Sequence, residues 1–173
     1  MYLKDQALFY EIEHFKNRKH YADLKRKIND ENLKDLEIII GKYGWPSISL
    51  VGEELATTTF LIVQHQENLE SQKKYLAFMN EALKKNDLKK YQYAYLNDRI
   101  LIGEGKKQVC GTQLTYDKEK KTIYFDVESI ENIIKLDSNR KNYDMKSISE
   151  YLKHYNITWD PDKLKLYPNT IKN

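Results

Sequence analysis

Apolar residues over the first hundred positions recur at spacings of three and four, and that period is abandoned near Thr112. A chain patterned this way is committed to helices with one β insertion. Leu3, Ala7, Phe9, Tyr10, Ile12, Phe15, Tyr21, Leu24 and Ile28, set among charged residues, predict one long or broken amphipathic helix over 3–28. Asp30 is placed to cap a second helix with the stripe Leu33, Leu36, Ile39 and Ile40. That helix should stop at Gly41 or Gly44, because Trp45 precedes Pro46 and is pushed out of helical geometry. A third helix is expected over 52–65, with Glu53 and Glu54 in the first turn, where the helix dipole favours negative charge. A fourth spans about 68–85 and a fifth about 88–102, ending towards Gly103 and Gly105. Thr112–Tyr116 and Thr122–Val127 then flank the polar turn 117–121 and read as a hairpin. A lone hairpin is marginal in water, so this one must lie on the helices or find another strand. Residues 129–141 and 146–155 read as two closing helices, and the tail 156–173 as irregular. The expected fold class is mostly α (α+β), a helical domain with a small antiparallel β-hairpin near residues 110–127.

The 173 residues have the size of a single domain, 1–173, comprising an N-terminal helical extension over 1–30, a core over 35–152 and an irregular tail over 156–173. Charged residues make up 32% and hydrophobic residues 40%, the balance of a soluble globular protein. Net charge is only +3, with both signs interspersed, so no basic strip points to nucleic acid. The opening Met1–Gln6 is charged almost at once and no 18-residue apolar run follows, which predicts neither a leader nor a membrane span. Cys110 is the single cysteine, so no internal disulfide can form, in keeping with a reducing, cytoplasmic setting.

Four segments carry residues that a plain helical core does not need: Gly44-Trp45-Pro46, Gln64-His65, Asp98-Arg99 and Gln108–Gln113. His65 shares a helix face with Thr58, Leu61 and Ile62, where partial desolvation favours a neutral imidazole able to act as a base near pH 7. The other reading is a core histidine bonded to a carbonyl. Gln64 cannot face the same way, which puts the pair at a helix end. Arg99 is one of only four arginines in a chain that otherwise uses lysine, so a planar, bidentate fork for carboxylate or phosphate is one reading and a structural ion pair the other. Asp98 either orients a partner or faces solvent. Gln108, Thr112 and Gln113 surround Gly111 at the mouth of the hairpin, where glycine permits close approach of a ligand or of another backbone. Trp45 is a stacking wall or a core plug. His14 and His20 are too far apart for an i,i+4 metal pair, and no phosphate loop, nucleophile elbow or zinc-type cysteine set occurs.

Taken in order, Gly44-Trp45-Pro46, Gln64-His65, Tyr95-Leu96-Asn97-Asp98-Arg99 and Gln108-Val109-Cys110-Gly111-Thr112-Gln113 resemble an uncharacterised bacterial family, a domain of unknown function with GWP, QH, YL-x-DR and Q-x-YGTQ blocks. Asp137–Lys141 and Glu150-Tyr151-Leu152 resemble its closing blocks, so the resemblance covers about residues 35–152. The chain departs from the pattern at Cys110, where that family usually carries tyrosine. The resemblance brings no reaction with it. It implies that His65, Asp98, Arg99, Gln108, Gln113 and Arg140 form one set.

Two functions are compatible with these residues, beside the reading that they form a buried polar network that only fixes the fold. The first is a small-molecule hydrolase or group transferase, with His65, Asp98 and Arg99 as catalytic residues. Trp45, Gln64, Gln108, Thr112, Gln113 and Arg140 would then bind the ligand, without metal or cofactor. The second is a non-catalytic binding module, toxin-neutralising or regulatory. In both the expected partner is a small polar or anionic ligand, not nucleic acid or a membrane, and a protein partner is allowed.

Overall fold

The computed structural model describes residues 18–169. Most of the helix expected over 3–28 lies outside them. The described chain forms seven α-helices and one three-stranded antiparallel sheet, a mostly α arrangement. It divides into two compact units, Met1–Leu88 and Lys89–Asn173.

In the first unit, α1 runs unbroken over Arg18–Tyr43. Asp30, expected to cap a new helix, sits inside it. No glycine or proline adjoins Asp30, its side chain is exposed, and a solvated Asp costs a helix interior little. The stop comes where glycine permits it: the Gly44 N–H bonds the Ile40 carbonyl at 2.9 Å with φ +82°. After the short α2 (Ile48–Val51), α3 covers Glu53–Gln64 and α4 covers Leu69–Lys84, close to the expected bounds. Asn68 caps α4 by accepting from the Ser71 amide at 2.9 Å. α1 and α4 both pack against α3. Leu36, Phe60, Val63, Tyr75 and Met79 are among the buried side chains of this unit.

The second unit begins with α5 (Lys90–Gly103), buried residues alternating with half-buried ones along most of its length. The hairpin follows as β1 (Thr115–Asp117) and β2 (Thr122–Asp126), with Thr115 opposite Tyr124 and Asp117 opposite Thr122. It does find a third strand. β3 (Lys165–Leu166), within the tail expected to be irregular, pairs antiparallel with β2, placing Leu166 opposite Phe125. The closing helices are shorter than expected: α6 is Leu136–Asn142 and α7 is Ile148–Lys153, after a 3-10 turn at Val127–Ser129. A Ser147–Glu150 capping box starts α7.

Phe125, Val127, Ile130, Leu136, Ile148, Leu152, Ile157 and Leu166 form one apolar cluster, so the sheet, both short helices and the tail share a core. Phe125 is fully buried, its ring 5.9 Å from that of Trp159 in an edge-on arrangement. Phe125→Ala should cost about 3–5 kcal/mol, measured by urea unfolding followed through Trp159 fluorescence, because the space it leaves is bounded by elements that cannot all collapse into it.

Candidate functional site

The site is assembled in the second unit around the loop 108–113. Asp98 lies on α5 with no exposure to solvent. Its Oδ1 accepts from the Val109 amide at 2.8 Å and the Cys110 amide at 3.2 Å, and its Oδ2 accepts from Cys110 at 3.2 Å and Thr112 at 3.1 Å. Burial pushes the carboxyl above its usual range, and the three backbone amides pull it back. Asp98 thus orients neither an imidazole nor an arginine of this unit: both its oxygens are spent on the loop.

The loop must also turn against the core. Gly111 has φ +61°, and a Cβ there would meet Phe125 Cζ at 3.1 Å and Ile130 Cδ1 at 3.2 Å. Glycine alone satisfies both the left-handed backbone and the close approach. The close neighbour anticipated for this glycine is therefore the protein's own core.

The amides flanking Gly111 also turn inward. Gln108 Nε2 donates to the Gln113 carbonyl at 3.1 Å and to Ser129 Oγ at 3.0 Å, while its Oε1 accepts from the Gln113 amide at 2.8 Å. Gln113 Nε2 donates to Thr112 Oγ1 at 2.8 Å and to the Tyr95 carbonyl at 3.3 Å. The Thr112 carbonyl accepts from the Tyr151 hydroxyl at 2.9 Å.

Arg140, on α6, grips the same loop from its carbonyl side. Its Nη1 donates to the Cys110 carbonyl at 2.7 Å and its Nε to the Lys146 carbonyl at 2.7 Å. The guanidinium lies 4.9 Å from the centroid of the Tyr151 ring, within cation–π range. Arg140 is 1% exposed, and it pairs with no carboxylate among the described residues. Burial lowers its pKa, and the nearby phenols and Asp137 oppose that. Guanidinium stays protonated in proteins, so a charge is kept here in a poorly solvated place.

Beside Arg140 opens a cavity of about 360 Å³. Tyr91 and Tyr95 of α5 line it, as do Tyr151 of α7 and Tyr155 just beyond. Lys146, Asp144, Met145 and His154 complete the lining. Asp144 is engaged by Lys90 at 3.4 Å. Lys146 is exposed, so its ammonium is accessible. The cavity therefore combines aromatic walls with an excess of positive charge.

Arg99, one residue from Asp98, is half-buried. Its Nε is buried without a hydrogen-bond partner and burial lowers its pKa. The remaining candidates belong to the first unit. Trp45 is 9% exposed and stacks on Phe78, rings 6.5 Å apart and 10° from parallel, with its Nε1 unpartnered. Gln64 ends α3 with its Oε1 buried and unpartnered, and His65 is the half-buried C-cap of that helix. The structure thus brings Asp98, Gln108, Thr112, Gln113 and Arg140 together within one unit. The four tyrosines, Lys146 and His154 were not among the candidates. Their signal was the i,i+4 spacing of Tyr91 with Tyr95, which puts that pair on one side of α5, and the same spacing of Tyr151 in α7 with Tyr155 just past its end.

Fold and site define a mostly helical α+β protein with a buried arginine beside a tyrosine-lined cavity. The chain belongs to the family of unknown function DUF6624, whose model matches residues 3–163. No curated protein and no solved structure matches it. Among the described residues, no helix is long and apolar enough to cross a membrane, and no three His, Cys, Asp or Glu side chains are grouped to hold a metal ion.

Burial, and then the nearby Asp98, push the Cys110 thiol up to about 12. At neutral pH it is a protonated, unreactive thiol. Burial raises the phenols of Tyr95 and Tyr151 as well. In each case the folded state holds its proton more tightly than the unfolded chain does. The unfolded chain therefore ionises first as pH rises, and stability falls. The melting temperature should decline from about pH 9 upwards, where unfolded thiols and then phenols titrate, and Cys110→Ala should make the first part of that decline shallower. A melting temperature flat to pH 11 in both proteins would contradict the burial of these groups.

Proposed function

We propose that this chain is a binding module for a small anion, held in the cavity of the second unit. One observation carries this reading: Arg140 keeps a charge in a buried place, bound to two backbone carbonyls and to no carboxylate. An uncompensated buried cation is costly, and a bound anion offsets that cost. With Arg140 1% exposed, its part is mainly the field it sets up in the cavity, where low-dielectric walls strengthen attraction. Lys146 supplies the accessible contact, and its carbonyl is also tied to Arg140.

The inward-turned amides of Gln108, Thr112 and Gln113 favour binding over catalysis, because they hold the loop in one conformation and leave the cavity itself to charge and aromatic surface. The hydrolase or transferase reading takes His65, Asp98 and Arg99 as catalytic residues, but both Asp98 oxygens already accept from loop amides. The cytoplasm is the compartment we propose, since Cys110 is a free buried thiol.

Inorganic phosphate titrated into the full chain by calorimetry, at fixed ionic strength, tests this. Saturable binding should weaken about tenfold in Lys146→Met, the loss of one charge-assisted contact. That side chain is exposed, so the variant should keep its fold. Absence of saturable binding, or an affinity indifferent to Lys146, would overturn the proposal.

A further inference from the structure

The walls of the cavity say more about the ligand than its charge does. Tyr91 and Tyr95 are one helical turn apart, ring centroids 6.3 Å apart and planes 84° from parallel. Tyr151 and Tyr155 repeat the arrangement on another element, at 5.4 Å and 68°. Both pairs line the same cavity. Within an edge-to-face pair the rings are steeply inclined, so a flat guest stacked on one ring face turns its edge to the face of the other, and both contacts are favourable. None of the four rings is fully buried, and Tyr155 is 38% exposed. A site for a bare inorganic anion needs donors. It does not need four partly exposed phenol rings, whose exposure is an unrecovered cost until something covers them.

The cavity also sets a size. About 360 Å³ is at the small end of ligand pockets and has room for one ring system with one charged group. Two positive groups adjoin this aromatic lining: the Arg140 guanidinium lies 4.9 Å from the centroid of the Tyr151 ring, and Lys146 lines the same cavity. The acidic group of the lining, Asp144, is engaged by Lys90 and does not neutralise them.

From these two edge-to-face tyrosine pairs beside Arg140 and Lys146, we infer that the ligand is a planar aromatic ring carrying a single anionic group. The ring lies against the tyrosines and the anion faces the two cations. A nucleoside monophosphate and an aromatic carboxylate share this chemistry. The inference rests on the anion-binding reading above and goes beyond it by assigning the rings a role.

The test uses the full chain and four probes under one salt condition: inorganic phosphate, adenosine, adenosine monophosphate and indole-3-acetate. One or both ring-bearing anions should bind at least about tenfold more tightly than phosphate, the usual advantage of one stacked ring, and the tighter of the two names the source of the ligand. Tyr155→Ala, at an exposed position beyond α7, should remove that advantage and leave phosphate affinity unchanged. Tyr91→Ala should do the same, which guards against a folding defect in either variant alone. Ring-bearing anions that bind no better than phosphate, or an advantage that survives both substitutions, would overturn this inference while leaving the anion site standing. Adenosine binding as tightly as its monophosphate would overturn it by removing the charge. Failure of every probe, phosphate included, would sink the anion-binding reading and this one with it.

Discussion

Much of the second unit depends on one carboxylate. Asp98 collects the amides of Val109, Cys110 and Thr112 on its two oxygens. These are donors that a buried loop cannot leave unpaired, since each orphaned group costs about 1–3 kcal/mol. From the opposite side, Arg140 takes the Cys110 carbonyl. The loop 108–113 is thus fixed through its N–H groups by an anion and through a C=O group by a cation, while Gly111 lets it lie against Phe125. The two charges act on the same peptide segment and do not form an ion pair with each other.

That separation has a functional consequence. Had Asp98 paired directly with Arg140, the guanidinium would be neutralised and the cavity beside it close to electrically neutral. With Asp98 turned to backbone amides, Arg140 keeps its positive field. The phenols of Tyr95 and Tyr151 and the Asp137 carboxylate act on it, but no carboxylate among the described residues pairs with it. Loop structure and cavity electrostatics therefore follow from one allocation of hydrogen bonds.

Much of the architecture was legible in the sequence. Gly44 before Trp45-Pro46 ended a helix for stated steric reasons, Glu53 and Glu54 marked the first turn of α3, and the change of period located the hairpin. β3 was not legible, because two residues in a charged tail carry no periodicity and gain their strand geometry from pairing with β2. Asp30 misled because a capping residue type also serves on an exposed helix face. At the site, the unusual segment 108–113 and Asp98 did mark a special place. Sequence alone could not tell whether its polar groups faced a ligand or one another, since that depends on where α5 and α6 come to rest. The four cavity tyrosines were hidden among fourteen in the chain. Their spacing was visible, but spacing identifies a shared face and not what the face adjoins.

The most direct measurement is the side-chain Nε–Hε resonance of Arg140 in the full chain, assigned with an Arg140→Lys variant and followed as phosphate is added. A resonance that is already protected from solvent exchange, through its bond to the Lys146 carbonyl, and that shifts saturably with phosphate would bear out a buried, uncompensated guanidinium responding to an anion in the adjoining cavity. A resonance that stays put while phosphate binds elsewhere, or one exchanging as fast as an exposed arginine, would contradict it.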